Sequence, residues 1–321
     1  MSCALTFRKG YLKFAIGVAF SYTVIGAKGA KSKEVKMATF YNQATLSYGG
    51  NVVNSNTTEA ELLSGLGISK TAVTETYRAG SEVVYAVTLT NKGTVAYSGL
   101  TVTDDLGAYT LPGGGSVVPM SYVTGSLLYY LNGVLQPTPT ISVADNLSIG
   151  GINLPASSTA TFIYAANVNE LAPIAAGSEI TNTVTTDGGA GVGEIVATAT
   201  VGVVESPELT IAKAVCPTVL NDNDNVTYTI IIQNLGNVAI VATDGVVISD
   251  VFNPVLSEIS VDLNGTALEE GVGYTYNAVS GEFAVVSGVI TVPAATYTQD
   301  PVTGTITTTP GVSVLTVIGK V

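Results

Sequence analysis

The chain has 321 residues, 46% of them hydrophobic and 11% charged, with 35 glycines, no tryptophan, no histidine and a net charge of −12. That length accommodates two domains with real cores. Seven of the twelve basic residues lie in residues 1–36, so the rest of the chain sets five basic residues against 23 acidic ones. Such a body repels nucleic acid and anionic lipid, which excludes a nucleic-acid binder. Without histidine, serine triads and histidine-based metal sites are excluded as well.

In chain order, residues 1–36 come first. MSCALTFRKGYLKFAIGVAFSYTVIGA joins a basic start to an apolar stretch from Phe14 to Ala27, the shape of a signal peptide. A second reading competes: Ser32-Lys-Glu-Val-Lys36 is what a ribosome-binding site spells in translation, so that Met37 is the true start. Beyond Ala27 no apolar run approaches the ~20 residues needed to cross a bilayer, so no membrane span is expected in the body. Cys3 falls in the leader, which leaves Cys216 unpaired in the body and excludes a disulfide there.

Residues 37–67 form the next segment. FYNQATLSYGG, Phe40 to Gly50, resembles ITNTVTTDGG, Ile180 to Gly189, far downstream. Both read as the first strand and turn of a hairpin. TTEAELLSGL, residues 57–66, is the nearest approach to a helical period anywhere, and it is short.

Residues 68–205 and 206–321 are two copies of one pattern. Lys70 and Lys213, Tyr85 and Tyr228, Asn91 and Asn234, and Gly93 and Gly236 all pair at a spacing of 143. TVTDD (101–105) matches VVISD (246–250), which pairs Asp105 with Asp250. Leu131-Asn-Gly133 matches Leu263-Asn-Gly265, each an Asn-Gly hairpin turn. INLPA (152–156) matches ITVPA (290–294), and ATFIYAANV (160–168) matches SVLTVIGKV (313–321). The runs between turns alternate, as in Val83, Tyr85, Val87 and Leu89 against Val84, Ala86 and Thr88. Period two, β-branched residues and turn signals every 8–12 residues predict an all-β protein of two tandem antiparallel sandwiches.

The order of these motifs carries a resemblance. A lysine in the first strand, then G-D/S-x-V-x-Y-x-V with N-x-G, then V-x-D, LPA and ITNT, resembles the bacterial and archaeal surface repeat known as domain of unknown function eleven. The likeness covers most of residues 68–321. It implies immunoglobulin-like sandwiches, a structural role on a cell envelope, and no catalytic residues. Cys216 departs from the pattern, which usually has a small polar residue there.

The first copy continues past Val168 into a closing hairpin, SEITNTVTTD (178–187) and GEIVATATVGV (193–203). The second copy reaches Val321, the counterpart of Val168, without one. The leading segment supplies the match: Gly50–Val53 aligns with Gly193–Val196, and Phe40, Asn42 and Ala44 align with Ile180, Asn182 and Val184. The expectation is that this hairpin, through Phe40, Asn42, Ala44, Leu46, Tyr48 and Val53, completes the second domain of another copy. Self-closure is strained, because the five residues Leu63–Gly67 reach at most ~18 Å. A stacked sandwich is about 40 Å long at ~3.4 Å per extended residue. Donor and acceptor surfaces differ, so the contact repeats into an open filament.

Candidate chemistry is sparse. Asn221-Asp-Asn-Asp-Asn225 offers Asp222 and Asp224 as weak calcium ligands, without the glycine and terminal glutamate of an EF-hand. No cofactor is expected, and no enzyme activity. Lys70 and Lys213 occupy matched first-strand positions, with Asn182 in the closing hairpin and Asn42 in its leading counterpart. A desolvated lysine amine is a nucleophile, and Asp105 and Asp250 are the candidate proton shuttles. The pattern predicts self-formed isopeptide bonds, Lys70–Asn182 within the first domain and Lys213–Asn42 between copies. The expected role is a structural subunit of an extracellular filament on a cell or spore surface, with itself as partner. An adhesin-like or stalk binding module of the cell envelope is the alternative, and a carbohydrate-active enzyme a weaker third.

Overall fold

The computed structural model describes residues 38–48, 51–62, 65–187, 193–219, 221 and 224–321. The expectations for the leader, Cys3 and Asp222 lie outside the described residues, as do the side chains of Phe40 and Tyr48. Strands make up nearly all the regular structure of the described chain, and almost every pairing is antiparallel. Its one helical element among the described residues is a single 3-10 turn, Ala242–Asp244.

The first sandwich is built on Glu82–Asn91, whose alternating pattern buries Val83, Tyr85, Val87, Leu89 and Asn91 on one face. It lies between Leu66–Ala72 and Ser158–Val168, and the sheet runs on through Leu128–Leu131 to Val134–Gln136. The facing sheet has the order Thr140–Val143, Leu147–Leu154, Tyr97–Asp104, Glu179–Asp187, Glu194–Val203 and Thr76–Tyr77. Val102, Leu147, Ile149, Val184 and Val201 point inward from it, against Phe162 and Tyr164. Each such side chain contributes about 1.5–3 kcal/mol on leaving water.

The second sandwich repeats the first sheet strand for strand. Leu209–Cys216, Asn225–Asn234, Gly311–Lys320, Ser257–Leu263 and Thr266–Leu268 stand in the same order. The register repeats too: Ala160 pairs with Leu89, and Ser313 pairs with Ile232, 143 residues beyond Leu89. The Asn-Gly turns at Asn132-Gly133 and Asn264-Gly265 both adopt positive φ at both residues, as a tight hairpin requires. The facing sheet is smaller, with Ser249–Val251, Glu282–Val285 and Tyr274–Tyr276 in order. Ser249–Val251 is its edge strand, whereas Tyr97–Asp104 in the first sandwich is paired on that side by Glu179–Asp187.

The two sandwiches are joined by a compact joint. The Leu235 amide donates to Glu208 O at 2.8 Å, and Asn234 Oδ1 accepts from the Gly236 and Glu208 amides at 2.9 and 3.0 Å. A Cβ on Gly236 would lie 2.3 Å from Ser206 O, so only glycine fits. Asn237 Nδ2 reaches back to Ile174 O and Val204 O, both at 3.1 Å. A separate ribbon, Thr296–Gln299 with Ile306–Thr309, projects from the second sandwich onto the first. There the Gly113 amide donates to Pro301 O at 2.9 Å, and Gln299 Nε2 donates to the Tyr109 hydroxyl at 2.5 Å.

Ahead of the first sandwich stands a hairpin. Ala38–Asn42 pairs with Thr58–Leu62, and Thr45–Tyr48 pairs with Asn51–Asn54, both antiparallel. Thr58–Leu62 is therefore a strand, although TTEAELLSGL had the nearest thing to a helical period. Between the two ladders, the Gln43 side chain and Ala44 bond to Ser55 instead. No other described strand joins either ladder, and Asn42, Ala44, Leu46 and Val53 are exposed. The same bonds recur at the start of the first sandwich: the Lys92 amide donates to Gly65 O at 2.6 Å, and Asn91 Oδ1 accepts from the Gly93 amide at 2.9 Å. These are the positions of Leu235, Glu208, Asn234 and Gly236 less 143.

Candidate functional site

Lys70 lies on the edge strand of its sheet, yet its side chain is fully buried, because the closing hairpin strand Glu194–Val203 packs beside that edge. The Lys70 ammonium donates to the Asp104 carboxylate, and its Nζ sits 4.7 Å above the Tyr85 ring. The Tyr164 hydroxyl donates to the same carboxylate oxygen. Burial draws the Lys70 amine down from 10.5 to about 8, against the pull of Asp104 and Asp105. Burial also pushes the Tyr85 and Tyr164 phenols above their ordinary range, Tyr164 further with help from Asp104.

Asn182 completes the cluster from the closing hairpin. It is wholly buried, and its Oδ1 accepts from the Gly107 amide at 3.2 Å. Its Nδ2 is the one buried side-chain polar atom among the described residues that has no hydrogen-bond partner. A buried donor without an acceptor costs about 1–3 kcal/mol. The carboxamide lies near enough to Tyr85 and Tyr164 to oppose the rise of both phenols, and these two rings also flank Lys70 and Asp104.

The carboxylate that meets Lys70 is that of Asp104, not Asp105. Adjacent strand residues face opposite ways, and Asp105 turns outward, where its Oδ1 accepts from the Thr183 and Gly107 amides at 2.8 and 2.9 Å. Matching TVTDD to VVISD without a gap pairs Asp105 with Asp250. In space Asp104 is the counterpart of Asp250. An amine partly freed of its proton, a carboxylate to take that proton and an amide carbon nearby are the ingredients of a condensation that releases ammonia.

In the second sandwich the same place is open. Lys213 donates to Asp250 and lies over Tyr228 and Phe252, at 4.5 and 5.1 Å from the ring centres. Its side chain is nonetheless 38% exposed, where that of Lys70 is 0%. The whole strand Leu209–Cys216 is exposed. Ile211 is 63% exposed and Leu209 40%, whereas Leu66, the counterpart of Leu209, is 1% exposed. Val247 and Val251 beside the unpaired edge are exposed as well. No described asparagine plays the part of Asn182 there.

The remaining candidates stay apart from this chemistry. Asp224 caps its own turn by accepting from the Asn221 amide at 2.7 Å. Among the described residues no group of three or more acidic or cysteine side chains is placed to hold a metal. Cys216 is exposed and unpaired at the end of the Lys213 strand. No helix of the described residues is long and apolar enough to cross a membrane.

This pair of sandwiches, one sealed around a lysine–carboxylate–amide cluster and one open, defines an immunoglobulin-like all-β class of protein. No family profile matches the chain, and no curated protein matches it. Among solved structures it is similar to the pilus backbone of Streptococcus pneumoniae, at 12% identity and a TM-score of 0.31, over 76% of this chain and 55% of that one. It is also similar to the major pilin subunit of Bacillus cereus, at 12% identity and a TM-score of 0.32, over 85% of this chain and 73% of that one. A third is the collagen-binding domain of a Staphylococcus aureus adhesin, at 11% identity and a TM-score of 0.28, over 42% of this chain and 96% of that one.

Proposed function

We propose that the protein is the structural subunit of an extracellular filament on a cell or spore surface, assembled head to tail by insertion of the 38–62 hairpin into the second sandwich of the next copy. The observation that carries this is the contrast between two strands of the same sequence pattern. Leu66–Ala72 is covered by the closing hairpin, and Leu209–Cys216 lies bare. A strand edge with unpaired backbone groups and exposed Ile211, Leu209 and Val215 is a liability unless something covers it. The matching cover is present in the same chain, exposed and unengaged by any other described strand.

The joint supports the same reading. Gly65, Lys92 and Gly93 repeat the bonds of Glu208, Leu235 and Gly236. An incoming hairpin seated on the second sandwich therefore leads its own first sandwich away much as the first leads to the second within one chain. The contact uses different surfaces on donor and acceptor, so it propagates without closing. Within the first sandwich, Lys70 and Asn182 condense with Asp104 as proton acceptor, which removes the orphaned amide and one ammonia.

Electron microscopy of protein lacking residues 37–62 tests the assembly. Fibres from the intact chain and none from the shortened one are expected, with the first sandwich still folded. Equal fibre formation by both overturns the reading, and an intact chain that stays monomeric at high concentration favours a stalk or adhesin module instead.

A further inference from the structure

Lys213 and Asp250 form two thirds of the cluster that Lys70, Asp104 and Asn182 complete. Both pairs join a first-strand lysine to an acid on the facing sheet, over an aromatic ring of the next strand, Tyr85 or Tyr228. Among the described residues no carboxamide takes the third place in the second sandwich. In the first sandwich that group sits two residues before Val184, and Val184 pairs directly with Asp104. Ala44 is the counterpart of Val184 in the leading hairpin, and Asn42 that of Asn182. When the hairpin docks in this register, Ala44 lies opposite Asp250 and Asn42 takes the place of Asn182.

We infer that Lys213 of one copy and Asn42 of the next form an isopeptide bond, with Asp250 as the proton acceptor, so that each filament contact is sealed covalently. This rests on the head-to-tail reading above, and the occupant of the open site is a second copy of this chain. Lys213 gives a proton to Asp250, and its Nζ attacks Cγ of Asn42. The C–N bond to the old amide nitrogen breaks as that nitrogen takes the proton back from Asp250. The attacking nitrogen then gives its second proton to Asp250, and the products are the secondary amide, ammonia and one proton released to water. No oxidant, cofactor or energy donor enters the balance. In the single chain the Lys213 side chain is 38% exposed and has no carboxamide beside it among the described residues, and the incoming hairpin both covers it and brings the Asn42 carbon within reach. The reaction is thus confined to assembled contacts.

Full-length fibres, confirmed by electron microscopy, are boiled in detergent, separated by size and analysed by mass spectrometry. A ladder of covalent multimers is expected, with a branched peptide joining Lys213 to Asn42 that is lighter by one ammonia. Asn42→Ala and Asp250→Ala are expected to form fibres that boil down to single chains. Fibres of the unaltered protein that dissolve wholly into single chains overturn the covalent seal and leave the filament reading standing. A protein that forms no fibres, yet whose single chain carries a Lys213–Asn42 link, overturns both, because the hairpin then closes its own second sandwich. A ladder that persists in Asn42→Ala places the bond on another residue and overturns this assignment.

Discussion

Replacing Asn182 with alanine isolates the behaviour of the buried lysine. The variant cannot form the Lys70 crosslink, and the Gly107 amide that Asn182 holds keeps Asp105 as acceptor at 2.9 Å. Lys70 then remains an amine with a folded pKa near 8, against 10.5 for an ordinary lysine. Below about pH 8 both folded and unfolded chains hold the proton. Between there and 10.5 the unfolded chain binds more protons than the folded one, so stability rises with pH. A shift from 10.5 to about 8 corresponds to about 3 kcal/mol at ~1.4 kcal/mol per unit. The rise is cut short near pH 10. Above that, Tyr77, Tyr85 and Tyr164, all raised in the fold, ionise first in the unfolded chain, and stability falls. Urea unfolding read by pulse proteolysis of first-sandwich fragments at several pH values measures this. The expected result is a midpoint that climbs from pH 8 to 10 in Asn182→Ala and stays level there in the unaltered chain, where the proposed crosslink converts Lys70 to an amide. A flat midpoint in the variant refutes the buried free amine. The same climb in the unaltered protein refutes the crosslink.

Four further outcomes are expected. Intact mass of the unaltered monomer is lower than the sequence mass by one ammonia, and Asp104→Asn restores the full mass. The same substitution removes the charge that pairs with buried Lys70 and destabilises the first sandwich by about 3–5 kcal/mol, measurable by denaturant unfolding. Ile211→Lys, on the bare strand, changes monomer stability by no more than about 0.5 kcal/mol but blocks fibre formation in electron microscopy. Asn234→Ala leaves the Gly236 and Glu208 amides and the Val238 and Pro293 carbonyls without their partner, and lowers thermal stability by about 3 kcal/mol in calorimetry.

Much of the scaffold is legible from residue pattern alone. The alternation of Val83, Tyr85, Val87 and Leu89 declares a half-buried strand, and the structure buries all four. Asn132-Gly133 and Asn264-Gly265 announce their turns because few residue pairs accept positive φ twice. The Lys70 and Asn182 positions stand out because lysine is scarce and because an asparagine inside a Thr/Val strand is out of character. The proton acceptor is harder to read. TVTDD offers two adjacent acids, and ungapped matching to VVISD selects Asp105, while a one-residue slip in register decides which acid faces inward. Tyr164 was invisible as a cluster member, since its counterpart position in the second copy holds Val317. The ribbon Thr296–Thr309 was missed because it interrupts the repeat between ITVPA and SVLTVIGKV with a Thr-rich stretch that has no partner in the first copy.

In the proposed filament the ribbon and Asn237 brace one kind of link and not the other. Inside a chain, Asn237 and the Gln299–Tyr109 grip brace the joint between sandwiches. At the proposed contact between chains, Thr94 stands at the position of Asn237, and the tight connection at Pro155–Ser158 replaces the ribbon. In the proposed filament every second link is thus the one with fewer braces, and curvature and thermal bending are expected to collect at the seams between polypeptides.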